Sequence, residues 1–174
     1  MKYKFTQVTK YKGFKKIYFD KIIKEIIKIG NLESTNFKIL DYGCGEKRLE
    51  QNLKKKILNY DINEKYTEIS SFLDKNFDIM IINHVLMYMS RDEINKLFNE
   101  IYSVNSNCQF IIGIGKQNLF SKLAKNITLN FNAHSGTISS YNDQYKIIEN
   151  RMEIIKEKRN ICFMTDIFLT QFKL

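Results

Sequence analysis

The sequence predicts a doubly wound α/β fold, in which a mostly parallel sheet carries helices on both faces. Three observations point to it. Short apolar runs rich in isoleucine recur between Lys38 and Ile114 and stop at polar or glycine residues. Stretches with helical apolar spacing lie between them, and the first run leads straight into the turn Asp41-Tyr42-Gly43-Cys44-Gly45. Strands buried on both faces read as such runs, and strand alternates with helix when a parallel sheet is wound.

The chain opens with an amphipathic pattern. Between Tyr11 and Ile29, Phe14, Ile17, Tyr18, Ile22, Ile26 and Ile29 recur at helical spacing with lysines interleaved, which predicts a helix packed on the sheet and stopped at Gly30. Strands are then expected at Ile39-Leu40, at Ile57-Leu58-Asn59-Tyr60, over residues 77–82 and over residues 110–114, with helices over 46–55, 91–103 and 116–126. Ser90 and Glu93 supply a capping box for the helix at 91, the hydroxyl accepting from a first-turn N–H while the carboxylate returns to the cap's own N–H. Residues 127–143, rich in Asn, Ser and Gly, read as an irregular lid segment over one face. Two further strands are expected near 152–155 and over 161–172. With no crossover helix between them they close as an antiparallel hairpin on the sheet edge, giving roughly six or seven strands in all.

The 174 residues fit a single domain, with an N-terminal helical cap at 1–30, a ligand-binding core at 38–115 and the lid segment at 127–143. A hydrophobic share of 44% is ample for a packed core. The formal net charge of +9 by itself assigns no anionic partner. The chain holds 26 Ile, 24 Lys and 18 Asn and no Pro or Trp, the bias that AT-rich codons produce, and its lysines form only one run, Lys54-Lys55-Lys56. Cys44, Cys108 and Cys162 are odd in number and lack metal-ligand spacing, which predicts neither a disulfide framework nor a metal site. No apolar run is long enough to span a bilayer, and the lysine-studded N-terminus lacks the continuous apolar stretch of a signal peptide, so a cytoplasmic protein is expected.

In open α/β sheets of the Rossmann-like kind, ligands bind beyond the carboxyl ends of the strands. Gly43 and Gly45 would let the backbone turn sharply there and approach a ligand closely. Asp41 stands just ahead of them, where a dinucleotide's pyrophosphate would be repelled by an acid. The third glycine of the dinucleotide fingerprint is missing, Arg48 standing in its place. S-adenosylmethionine, which brings an ammonium and a sulfonium and no phosphate, turns the same acid into a favourable group. Asp61 ends the second strand, where a carboxylate can accept from both ribose hydroxyls.

On these residues the chain resembles the class I S-adenosylmethionine-dependent methyltransferases, in their compact "methyltransferase type 11"-like form. ILDYGCGEK resembles the family's first motif, ILNYDI its second strand, and FDIMIINHVLMYM its fourth strand and following turn, so that the likeness covers residues 38–115 well and the remainder in outline. The resemblance implies that Asp41, Gly43, Cys44 and Gly45 line the methionine part of the cofactor, that Asp61 holds the ribose and Ile62 the adenine face, and that Asn83 lies beside the reactive sulfur. Two departures stand out. The helix usually found between the second and third strands is shortened or absent, and Met87-Tyr88 replaces the Glu-His pair of many relatives.

Methyl transfer is an in-line displacement to which a protein contributes mainly positioning, with a general base where the acceptor must lose a proton. His84 and His134 are the candidate bases, Tyr88 a candidate for hydrogen bonding to substrate, and Tyr3 and Tyr11 candidates to close over the cofactor. The chain lacks the Asn/Asp-Pro-Pro-aromatic motif that resembles exocyclic-amine methylation, and it lacks the Pro-Cys pair used on pyrimidine rings. The DYGCGEK form of the first motif resembles that of methyltransferases of sugar and cell-surface glycan synthesis, which implies a hydroxyl on a saccharide or small molecule as acceptor. Two other readings stand beside it: a non-catalytic methyltransferase-like binding or regulatory domain, and an RNA methyltransferase using the basic surface. The acceptor, the choice between oxygen and nitrogen, and the oligomeric state stay open.

Overall fold

The computed structural model describes residues 13–116 and 136–173. Strands β1 (Ile39–Tyr42), β2 (Leu58–Tyr60), β3 (Ile79–Asn83), β4 (Gln109–Gly115), β5 (Met152–Ile161) and β6 (Thr165–Phe172) form one six-stranded sheet in the order β2-β1-β3-β4-β6-β5. The first four run parallel, and β6 lies antiparallel between β4 and β5. The hairpin expected at the edge is therefore present. Its first strand is longer than the sequence suggested, running to Ile161, and it turns through Cys162 and Phe163, both in the left-handed region, with the Met164 N–H closing on the Ile161 carbonyl at 3.0 Å.

Side chains of β3 alternate between two cores, which is why its sequence is apolar throughout. Ile79 and Ile81 face helix α1 (Gly13–Ile29) and helix α2 (Arg48–Leu53), meeting Ile22, Ile26, Leu49 and Leu53; Met80 and Ile82 face the opposite layer. That layer is built from helix α3 (Arg91–Val104) and helix α4 (Tyr141–Arg151), which bury Ile94, Phe98, Ile101, Ile147 and Ile148. The capping box of α3 forms as expected, Ser90 accepting from the Glu93 N–H and the Glu93 carboxylate accepting from the Ser90 N–H.

Helix α4 was not foreseen. The irregular segment was expected to run to residue 143; residues 117–135, which carry most of it and of the helix expected over 116–126, lie outside the described residues, and Tyr141 already opens a helix that leads directly into β5. Only Gln144, Ile147 and Ile148 of this helix are buried, so its apolar stripe is too narrow to stand out. Its cap was readable: Ser140 accepts from the Asp143 N–H, and Asp143 returns the bond to the Ser140 N–H.

Residues 61–77 contain no helix, and turns replace the one usually found there. This stretch covers the outer edge of β2, where the Glu68 N–H donates to the Asn59 carbonyl at 3.0 Å. The buried Asn59 amide in turn donates to Glu50 at 2.7 Å and to Glu68 at 3.1 Å. Hydrogen bonds from Lys47, Lys56 and Asn59 hold the Glu68 carboxyl down to about 2. Among the described residues, no helix is long and apolar enough to cross a membrane.

Candidate functional site

The site lies where the parallel strands end. Gly43, with φ +78°, turns the chain away from β1, and its N–H and that of Cys44 both donate to the Tyr60 carbonyl, at 2.7 and 3.1 Å. The loop is thus pinned across the tip of β2. Val85, just beyond β3, packs on the bare face of Gly43, where an added methyl would lie 2.3 Å from Val85 Cγ2. Gly45, also left-handed, donates its N–H to Asp61 Oδ2 at 3.0 Å, while Asp61 Oδ1 accepts from the Asn63 N–H at 2.8 Å. One carboxylate therefore braces the loops after both β1 and β2, and each of its oxygens keeps a second lone pair for a ligand.

Two acceptors in this region have no donor among the described residues. Asp41 is buried on the α1 side of the sheet, and its carboxylate takes no hydrogen bond from a described residue. Burial first, then the nearby Asp61 and Glu50 carboxylates, push its carboxyl up to about 7. Asn83, two residues beyond the strand partner of Asp41, lies on the same face; its Oδ1 is buried and unbonded above Gly113, where an added methyl would come within 2.3 Å of that oxygen. A cationic hydrogen-bond donor is the chemical complement of this pair, and a phosphate is its opposite. Ile62, at the rim beside Asp61, is 60% exposed.

No family model and no curated protein matches the sequence. Solved structures do. A magnesium protoporphyrin IX methyltransferase of Synechocystis PCC 6803, with bound SAH, superposes with a TM-score of 0.61 at 17% identity over 94% of this chain and 90% of that one. A protein of Pyrococcus horikoshii OT3 gives 0.65 at 16% identity over 92% and 100%. A small RNA methyltransferase gives 0.62 at 12% identity, covering 95% of this chain and 26% of its own. The chain has the class I S-adenosylmethionine-dependent methyltransferase fold.

In this methyltransferase fold the residues expected at the cofactor site, Asp41, Gly43, Cys44, Gly45, Asp61, Ile62 and Asn83, all fall at the carboxyl ends of β1, β2 and β3 or on the loops that follow. The Cys44 thiol donates to the Tyr66 carbonyl at 3.6 Å, and burial pushes it up to about 12. It is a neutral packing group there, and its backbone N–H is what joins the pinned loop. His84 takes a left-handed conformation, with φ +57°, and its Nε2 is 3.0 Å from Thr165 Oγ1 on β6, beneath Tyr18 and Phe19 of α1. His134, Tyr3 and Tyr11 lie outside the described residues. Tyr88 is half-buried beside Gly136, and burial raises its phenol.

One polar cluster of the methyltransferase fold escaped the sequence reading. Asp166 of β6 is fully buried, and it accepts from Lys116 Nζ at 2.9 Å, the Tyr141 hydroxyl at 2.6 Å and the Asn160 N–H at 2.7 Å. Burial, then the bond to Asp166, raise the Tyr141 phenol. The available signal was the charge itself: an acid inside the apolar run of β6 must find partners or stay neutral.

Proposed function

We propose that this chain is an S-adenosylmethionine-dependent methyltransferase whose acceptor is a hydroxyl on a saccharide or other small molecule. The observation that supports the cofactor most directly is Asp41, a buried acid with no hydrogen-bond donor among the described residues, at the tip of β1 beside a glycine loop already braced by Asp61. When bound, the cofactor supplies a methyl group on a cationic sulfur, ready for in-line displacement. The chain's own contributions follow from the site. Asp41 and Asn83 Oδ1 offer acceptors to the ammonium of the methionine part, Asp61 offers its remaining lone pairs to the ribose hydroxyls, and Ile62 gives an apolar surface to the adenine. Gly43 and Gly45 keep the loop low enough for a ligand to lie against backbone.

The hydroxyl acceptor rests on the form of the first motif, and His134 is the proposed proton acceptor. Solved structures of this fold include a porphyrin methyltransferase and a small RNA methyltransferase by name, so acceptors have to be tested across classes. Calorimetry with S-adenosylhomocysteine and with NAD tests the cofactor. Binding of the first alone is expected, and Asp61→Ala should weaken it by about 1–3 kcal/mol through lost charged hydrogen bonds. Unchanged affinity removes Asp61 from the ribose. Transfer of a labelled methyl group to saccharides, small hydroxyl compounds and RNA then tests the acceptor; product on RNA alone, with binding that falls steeply as salt rises, would overturn the hydroxyl reading.

A further inference from the structure

His84 occupies an unusual place for a proton acceptor. It is the elbow at which the chain leaves β3, its N–H still bonded to the Gly113 carbonyl at 2.9 Å while its backbone turns left-handed. A left-handed residue with a side chain is strained, so contacts elsewhere must hold it. Those contacts are visible. The ring stands edge-on to Phe19 and Tyr18, at centroid distances of 6.0 and 6.5 Å, and Nε2 meets the hydroxyl of Thr165, a fully buried residue that also bonds the Tyr18 hydroxyl. Gly115 leaves the space for this: a methyl there would lie 3.0 Å from His84 Cε1. The elbow decides where the next residue goes, and the next residue is Val85, which packs on Gly43.

We propose that His84 is a positioning residue for the cofactor loop, and that its bond to Thr165, shared with Tyr18, ties the seating of α1 to the shape of the Gly43–Gly45 turn. One chain of contacts runs from α1 through Tyr18, Thr165 and His84 to Val85 and Gly43. If it loosens, Val85 no longer presses on Gly43, and the N–H groups of Gly43 and Cys44 lose their fixed approach to the Tyr60 carbonyl. The cofactor part of this inference rests on the methyltransferase reading; the mechanical part does not.

Two readouts on the full chain keep these apart. Amide hydrogen exchange at Gly43 and Cys44, without ligand, reads the loop directly, and calorimetry with S-adenosylhomocysteine reads its consequence. His84→Ala should speed exchange at both amides and weaken binding about tenfold, the scale of one lost hydrogen bond with its packing. His84→Gln, whose amide nitrogen can stand near the place of Nε2, should restore most of both. Thr165→Val, nearly isosteric and chosen because it keeps the packing if His84→Ala fails to fold, should give the same exchange change as His84→Ala, with no further change in the double variant. Unaltered exchange in Thr165→Val, or a glutamine variant as impaired as the alanine one, overturns the proposal. Absence of binding in the unaltered chain would overturn the methyltransferase reading alone, and the exchange data would still decide the role of His84.

Discussion

Two aspartates are buried in the sheet of this protein, and they are treated in opposite ways. Asp166 on β6 is surrounded by a lysine, a tyrosine hydroxyl and a backbone N–H; Asp41 on β1 has none of these among the described residues and faces two further carboxylates. A buried acid with three donors belongs to the architecture. One whose described neighbours offer no donor is costly to ionise, and such a residue makes physical sense where a ligand supplies a cation. The contrast separates the half of the carboxyl edge that completes itself from the half that waits for a partner.

The largest expected effect comes from breaking the self-sufficient half. Lys116→Met keeps the length of the side chain and removes its charge, leaving Asp166 with two neutral donors in a fully buried position. Removing one member of a buried pair costs about 3–5 kcal/mol, and equilibrium denaturation should show a loss of that size. A loss below about 1 kcal/mol would mean that Tyr141 and Asn160 suffice, and the two aspartates would then differ less than their surroundings suggest.

Asp41 should respond with the opposite sign. Its carboxyl titrates near 7 in the folded chain against an ordinary value of 3.8. Between these values the folded state holds a proton that the unfolded state has released, so stability falls as pH rises, by roughly 1.4 kcal/mol per pH unit at most. Asp41→Asn removes this slope and should make the unliganded protein more stable than the natural chain at pH 8. The same titration predicts tighter binding of S-adenosylhomocysteine as pH climbs from 6 to 8, because the ionised acid is the form that meets an ammonium; in Asp41→Asn that rise should vanish. A natural chain whose stability climbs across this window would place Asp41 among structural acids, beside Asp166.

How visible each half was in the sequence follows from how its residues are spaced. The cofactor side is local: Asp41, Gly43 and Gly45 lie within one turn, and Asp61 ends the next strand, so their chemistry could be read together before any fold was known. Parallel strands buried on both faces gave β1 to β4 the apolar runs that mark them. The other side is assembled at long range. Lys116, Tyr141 and Asp166 come from the end of β4, the start of α4 and the start of β6, and only the pairing of Ile114 with Asp166 brings them together. The elbow at His84 was hidden for another reason. Histidine carries no sequence mark of a left-handed backbone, and a lone histidine after a strand reads as a base when its position invites chemistry. Helix α4 was missed because three buried residues make a weak periodic signal, although its serine cap was in plain view.

That cap supplies the smallest test. Ser140 accepts from the Asp143 N–H at 3.2 Å, and the residue between cap and first turn is Tyr141, whose hydroxyl reaches Asp166. Ser140→Ala should cost about 1 kcal/mol, the usual value of an N-cap. If the cap also holds Tyr141 in place for Asp166, the loss should shrink in a Tyr141→Phe background, since the bond being steadied is already gone. A double-variant cycle measured by denaturation checks this: coupling of about 0.5 kcal/mol or more ties the helix start to the buried acid. Strict additivity would make the cap a local matter of α4, with Tyr141 held for Asp166 by its other contacts.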